Sequence, residues 1–151
     1  MIAYRIADAR HPIFDATGAM LHGGRWNFRG LRVIYAAETY AGALLEVLVH
    51  SNLSQPPKKH KVIRIIVPDK VVIETLSITT LPDWYAEDMR ASRAFGDRWI
   101  RENRTAVLRV PSVITTGREN NLLFNPLHPQ FGLVKAGGPE AVDWDERLFS
   151  R

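Results

Sequence analysis

The stretch Val33-Ile34-Tyr35-Ala36-Ala37-Glu38-Thr39-Tyr40-Ala41-Gly42-Ala43-Leu44-Leu45-Glu46-Val47-Leu48-Val49-His50 joins a strand to a helix and decides the fold class. Val33–Ala36 is a β-prone apolar run of the length of a buried strand. Thr39 carries a side-chain oxygen that can cap a helix, and the apolar run behind it predicts a helix to about His50. Because that helix is apolar almost all round, it is expected to be buried. Upstream, Ile2–Ile6 reads as a first strand, followed by a long segment, Ala7–Gly30, with no sustained period. Loops of that length in a compact domain are usually functional or poorly ordered. Downstream, Gln55-Pro56-Pro57 breaks the chain, and Val62–Val67 and Val71–Thr75 are β-rich runs split by a turn at Pro68-Asp69-Lys70. Leu81-Pro82-Asp83 opens a helical region with Asp83 as its cap, and Ser92–Asn103 continues helical with Phe95, Trp99 and Ile100 on one side. Ala106–Val110, Asn120–Phe124 and Phe131–Lys135 are further strands. The tail from Pro139 to Arg151 is polar, with Trp144, Leu148 and Phe149 spaced to dock. Strands scattered among two or three helices, without strict alternation, predict an α+β fold with a mixed β-sheet core and flanking helices.

The chain of 151 residues fits one domain, 1–151, large enough to bury a core without staples. It contains no cysteine, which excludes disulfides, zinc–thiolate sites, iron–sulfur clusters and cysteine nucleophiles. Such a composition suits a reducing cytosol, and a cytoplasmic location is expected. No stretch approaches the length of a membrane span, and Met1-Ile2-Ala3-Tyr4-Arg5 lacks the apolar core of a signal peptide. The net charge of +4 owes much to the cluster Lys58-Lys59-His60-Lys61. That cluster could meet phosphates, but no aromatic residues are interleaved with it, so it reads as a solvated loop and direct nucleic-acid binding is not expected.

Five constellations can carry chemistry. In Gly23-Gly24-Arg25-Trp26-Asn27, two glycines permit a close backbone approach, and the arginine can fork onto a phosphate; a tight turn with a surface arginine explains the same residues. Gly42, Glu46 and His50 recur at four-residue steps and share one stripe of the helix. Either the stripe faces solvent, or it faces a cleft with Gly42 leaving space and Glu46 as the working carboxylate. Tyr35 ends a strand beside that helix, as a core residue with a tethered hydroxyl or as a platform for a flat ligand. Ser112 follows Val110-Pro111, but no Gly-x-Ser-x-Gly and no suitably spaced histidine accompany it. Asparagines in Glu119–Asn125 can bond backbone turns or a ligand amide. His11, His22, His50, His60 and His128 do not form metal-ligand spacings, so no metal is expected, and nucleotide-binding glycine fingerprints are absent.

Taken in order, Tyr4-Arg5, Gly24-Arg25-Trp26-Asn27, Ile34–Thr39, Ala43–His50, Leu81-Pro82-Asp83-Trp84, Val110-Pro111-Ser112 and Asn121–Pro129 resemble the RES domain, named for an arginine, a glutamate and a serine. These residues map to Arg25, Glu46 and Ser112, with Arg5 a second candidate for the arginine. The resemblance implies a fold similar to ADP-ribosyltransferases and an NAD-consuming toxin of a bacterial type II toxin–antitoxin pair. Such an enzyme cleaves NAD+ at the nicotinamide–ribose bond and passes ADP-ribose to a protein, to phosphate or to water. It implies catalytic roles for Glu46, Arg25 and Ser112, and NAD+ contacts from Arg25, Tyr35, Ser112, Asn121 and Arg5. It also implies a cognate Xre-like helix-turn-helix antitoxin that blocks the NAD cleft and, where the acceptor is a protein, a protein target of ADP-ribosylation. Two competing readings are a small basic ribonuclease toxin, with Glu46 and His50 as its proton-transfer pair, and a non-catalytic binding domain.

Overall fold

The computed structural model describes residues 1–51 and 54–149. Its frame is one eight-stranded, mostly antiparallel sheet. The strands are β1 (Ile2–Asp8), β2 (Ile34–Ala37), β3 (His60–Ile66), β4 (Ile73–Thr75), β5 (Val107–Pro111), β6 (Asn120–Phe124), β7 (Lys135–Ala136) and β8 (Glu140–Ala141). They run in the order β4-β5-β6-β2-β1-β3-β7, with β8 also on β3. Among the described residues three α-helices accompany them: α1 (Thr17–His22), α2 (Tyr40–His50) and α3 (Arg90–Arg101). The expected α+β class with a mixed sheet is thus observed. Among the described residues no helix is long and apolar enough to cross a membrane.

Alternation along β5 and β6 explains why the centre of the sheet is buried on both faces. Val107, Leu122 and Phe124 enter one core with Ala3, Ile34, Ile63 and Ile65. Leu108, Val110 and Leu123 point the other way, into a second core with Trp26, Trp84, Trp99 and Ile100. Trp99 of α3 is fully buried, and its indole N–H donates to Thr105 Oγ1 at 2.8 Å, so the apolar ring is buried without stranding its polar atom.

Several elements depart from the sequence-based expectations. No helix begins at Asp83. Residues 81–89 form successive turns, in which Trp84 N–H donates to the Leu81 carbonyl and Ala86 N–H to that of Asp83. Met89 then takes a left-handed conformation (φ 58°), which stops any helix from propagating through it. The helix starts afresh at Arg90, whose N–H is capped by Asp88 Oδ1. Phe131–Lys135 is not a strand. Pro129–Leu133 is a 3-10 helix, because Pro129 presets the first turn and His128 Nδ1 accepts from Gln130 N–H, while Phe131 stacks on Phe14; only Lys135 goes on into β7. The turn at 68–70 forms, but it sends the chain to the far edge of the sheet, where β4 pairs in parallel with β5. The segment after β1 contains the short α1. α2 is capped by Thr39 as expected, yet it is not buried all round: only Ala43 and Val47 are, because the helix lies on one face of the sheet and leaves Leu45 and Val49 outside. In the tail, Trp144 packs edge-on against Phe149 while Leu148 stays exposed; Ser150 and Arg151 lie outside the described residues.

Candidate functional site

The centre of the sheet has a seam. β2 pairs with β6 at four positions, and β1 pairs with β3 along its whole length, but β1 and β2 share one register pair, Tyr4↔Ala37. Beyond that pair the strands part. Arg5 spans the opening: its Nη1 donates to the Tyr35 carbonyl at 2.7 Å and its Nε to the Ile13 carbonyl at 2.6 Å. A cavity of about 710 Å³ opens over this seam, between α2 on one side and the loop Gly23–Phe28 on the other.

That loop is held from beneath by Tyr35 and from the side by α3. The Tyr35 hydroxyl accepts from Trp26 N–H at 3.0 Å and donates to Asn27 Oδ1 at 2.6 Å. Asn27 is fully buried, and its amide donates to the carbonyls of Ala19 and Phe28. Burial pushes the Tyr35 phenol well above its ordinary pKa, so it stays a neutral tether. Gly24 passes so close that a Cβ there would lie 2.6 Å from the Tyr35 oxygen. From α3, Arg93 Nε donates to the Gly24 carbonyl (2.8 Å) and Ser92 Oγ to the Arg25 carbonyl (2.6 Å), while Asp97 Oδ1 accepts from Phe28 N–H (3.1 Å). Gly96 lies directly under Trp26, where a Cβ would come within 1.8 Å of the carbonyl oxygen. Four residues on one face of one helix thus shape the loop that presents Arg25.

The carboxylate of the site comes from α2. Glu46 Oε1 accepts from Asn121 Nδ2 on β6 at 2.7 Å, and Glu46 Oε2 is bonded to His50 Nε2 at 3.2 Å, one helical turn away. Burial is the strongest single influence on Glu46 and pushes its pKa up. The bonds from His50 and Asn121, with the charges of His50 and Arg25, together outweigh it and hold the carboxyl below its ordinary value. His50 is raised in turn, chiefly by its bond to Glu46. The helix is aimed by Thr39, whose Oγ1 accepts from Gly42 N–H and donates to Glu119 Oε2. Gly42 does not open space in a cleft; a Cβ there would press on Thr39 Oγ1 and Ala37, so its role is close packing.

The structure therefore brings Arg5, Arg25, Tyr35, Glu46 and Asn121 to one cavity. Ser112 is not among the lining residues: it is buried between two of them, Pro111 and Val113, with its N–H given to the Glu119 carbonyl and its own carbonyl taken by Gly117 N–H. Sequence reasoning missed Arg93, His60 and Met89, which also line the cavity. A signal for the α3 clamp did exist: a glycine inside an otherwise sound helix costs about 1 kcal/mol relative to alanine and calls for a packing reason. The electrostatics are one-sided. Among the described residues none of Arg5, Arg25 and Arg93 is ion-paired with a carboxylate; their bonded partners are backbone carbonyls, with Arg25 Nη1 on that of Ala86 at 3.0 Å. Desolvation, and for Arg25 the like charge of Arg93, lower the pKa values of Arg5 and Arg25.

Fold and site together define an α+β protein with a split sheet and a cleft that holds three arginines without carboxylate partners beside the ionised Glu46. Residues 2–145 match the RES domain, and the chain belongs to that family. It is 41% identical over 156 residues to the Prs ADP-ribosylating toxin of Sphingobium sp. (strain YBL2), covering 98% of this chain and 96% of that one. It is 36% identical over 151 residues to the Toxin Res of Pseudomonas putida (strain KT2440), covering 99% and 100%. Its fold is similar to a chain in the crystal structure of the M. tuberculosis MbcT-MbcA toxin-antitoxin complex, with a TM-score of 0.76 at 22% identity over 98% of this chain and 86% of that one.

Proposed function

We propose that this protein, read as one RES domain over 1–151, is the toxin of a bacterial type II toxin–antitoxin pair that acts in the cytoplasm. In this reading it cleaves NAD+ at the nicotinamide–ribose bond and hands ADP-ribose to an acceptor. The observation that carries the reading is Glu46, kept ionised by Asn121 and His50 in a cavity that also holds Arg5, Arg25 and Arg93, none of them paired with a carboxylate. The names of the relatives, toxins and in one case an ADP-ribosylating toxin, support it.

The chemistry follows from charge. Breaking the C1′–N bond sends its electron pair to the nicotinamide nitrogen and leaves an oxocarbenium-like ribose. A fixed carboxylate beside that ribose stabilises the developing positive charge, the role of Glu46, and is worth about 10²–10³-fold in rate. Nicotinamide departs neutral, so no general acid is needed and one carboxylate suffices. Arg25 and Arg5 hold the anionic middle of the substrate, since a guanidinium fork matches phosphate oxygens. Tyr35 contributes its ring, its hydroxyl being committed to the loop. Ser112 and Asn121 contact the nicotinamide ribose or amide. An Xre-like antitoxin silences the enzyme by placing a segment in the cleft against Arg25.

Incubation of the purified protein with NAD+ and, separately, with RNA tests the reading by mass spectrometry of products. Release of nicotinamide with ADP-ribose, ADP-ribose phosphate or a modified protein is expected. Intact NAD+ with cleaved RNA would replace it by the ribonuclease reading, for which the bonded Glu46–His50 pair is the available acid–base couple.

A further inference from the structure

Arg93 lines the cavity together with Arg25. It lies on the first turns of α3, half-buried, with its guanidinium 5.6 Å from the ring centroid of Phe28. Only its Nε is engaged, on the Gly24 carbonyl; among the described residues Nη1 and Nη2 make no hydrogen bond. Arg25 follows Gly24 directly in the chain and has Nη1 on the Ala86 carbonyl. The two guanidiniums line the same cavity, Arg93 anchored on the Gly24 carbonyl and Arg25 on that of Ala86, and the charge of Arg93 is near enough to lower the pKa of Arg25. Like charges held together by backbone carbonyls, with no carboxylate between them, leave a place for an anion. A single charge would satisfy one guanidinium. Two bridged phosphates would satisfy both, each taking a forked, charge-assisted pair of bonds.

We propose that Arg93 and Arg25 form a two-armed cradle for a diphosphate, with Arg93 a substrate-binding residue that sets the preference for ligands carrying that group. The inference rests on the NAD+ reading for the identity of the substrate, but not for the anion cradle itself. Stacking on Phe28 fixes the plane of the Arg93 guanidinium before the ligand arrives and lowers the ordering cost of binding. The pairing also explains why Arg93 is bonded to Gly24 through Nε, which leaves its two-nitrogen edge free.

The test titrates the wild type, Arg93→Gln, Arg93→Lys and Ser92→Ala with inorganic pyrophosphate and with ADP-ribose by calorimetry, after thermal unfolding has shown each to be folded. Arg93→Gln is expected to weaken both ligands about 10- to 100-fold, the loss of charged hydrogen bonds, and Arg93→Lys to recover part of the pyrophosphate affinity by charge alone. Ser92→Ala loosens the same loop from the same helix without touching the charge. If it weakens pyrophosphate as much as Arg93→Gln does, Arg93 only braces the loop and the proposal falls. Unchanged ADP-ribose affinity in Arg93→Gln, with the wild type still binding, also overturns it and leaves the NAD+ reading standing. A wild type that binds pyrophosphate through Arg93 but ignores ADP-ribose keeps the cradle and removes the NAD+ reading. Binding of neither ligand to the wild type removes both.

Discussion

Glu46 is pulled in opposite directions by its surroundings. The cavity wall disfavours its charge, while Asn121 and His50 hold two lone pairs and favour it. Glu46→Gln can keep accepting from Asn121, so the fold is expected to survive with a melting point within a few degrees of wild type, about 1 kcal/mol or less. NAD+ cleavage is expected to fall by about 10²–10³-fold, because the neutral amide no longer stabilises a cation. A melting scan beside a nicotinamide-release assay reads both, and wild-type turnover in the variant would remove Glu46 from the mechanism. His50 supplies an independent check. Its folded pKa is raised above 6.5 by Glu46, so its contribution to stability is fully present below about 6.5 and is lost as pH rises through the folded value. Glu46 has the opposite sign, its contribution being present above its ordinary carboxylate range and lost as pH falls through the depressed folded value. Proton NMR of the imidazole is expected to show a midpoint above 6.5 in the wild type and a lower one in Glu46→Gln. Equal midpoints would mean that the pair is not formed in solution.

At the scale of elements, α3 is a tool for shaping the Gly23–Phe28 loop as much as a wall of the core. One face carries Trp99 and Ile100 into the second core, and the neighbouring face carries Ser92, Arg93, Gly96 and Asp97 to Arg25, Gly24, Trp26 and Phe28 of the loop. Gly96→Ala puts a methyl group where the Trp26 carbonyl oxygen now lies, and that oxygen is backbone that cannot rotate away. Alanine is otherwise the better helix former by about 1 kcal/mol. The clash is expected to win, for a net loss of about 1–3 kcal/mol and a displaced Arg25. Chemical denaturation gives the stability, and ADP-ribose titration gives the displacement. A variant more stable than wild type, with affinity intact, would show that α3 and the loop are not in the contact described.

For the whole molecule, the important feature is the seam. β5 and β6 are paired at five positions and buried on both faces, whereas β1 and β2 are joined by one pair and by the Arg5 side chain. Amide protection follows the number and burial of the bonds that must open. Hydrogen exchange is therefore expected to be slowest in Leu108, Leu122 and Leu123 and distinctly faster at Tyr35, whose backbone polar groups face the seam instead of β6. Saturating ADP-ribose, which would tie Arg5 on one half-sheet to Arg25 on the other, is expected to slow exchange at the seam more than in β5–β6. Uniform protection across the sheet without ligand would show that the two halves do not part there.

What could be read without coordinates was what depends on near neighbours in the chain. β6 and the Thr39-capped helix to His50 emerged with their bounds nearly right, because alternation, four-residue steps and a capping oxygen are local facts. The ordered motifs were likewise enough to bring out the family, and with it Arg25 and Glu46 as candidates. Tertiary structure decided the rest. Whether Glu46 looked at solvent or a cleft depended on Asn121, 75 residues away, and on where β1 parts from β2. Phe131–Lys135 looked apolar enough for a strand, but the neighbours that decided its state were His128, Pro129 and the distant Phe14. Arg93 carried no motif at all; its place in the site exists only because Gly96 lets α3 touch the loop. Periodicity records which residues share a face, but which faces meet is fixed by contacts between residues far apart in the chain, and that is where the site is made.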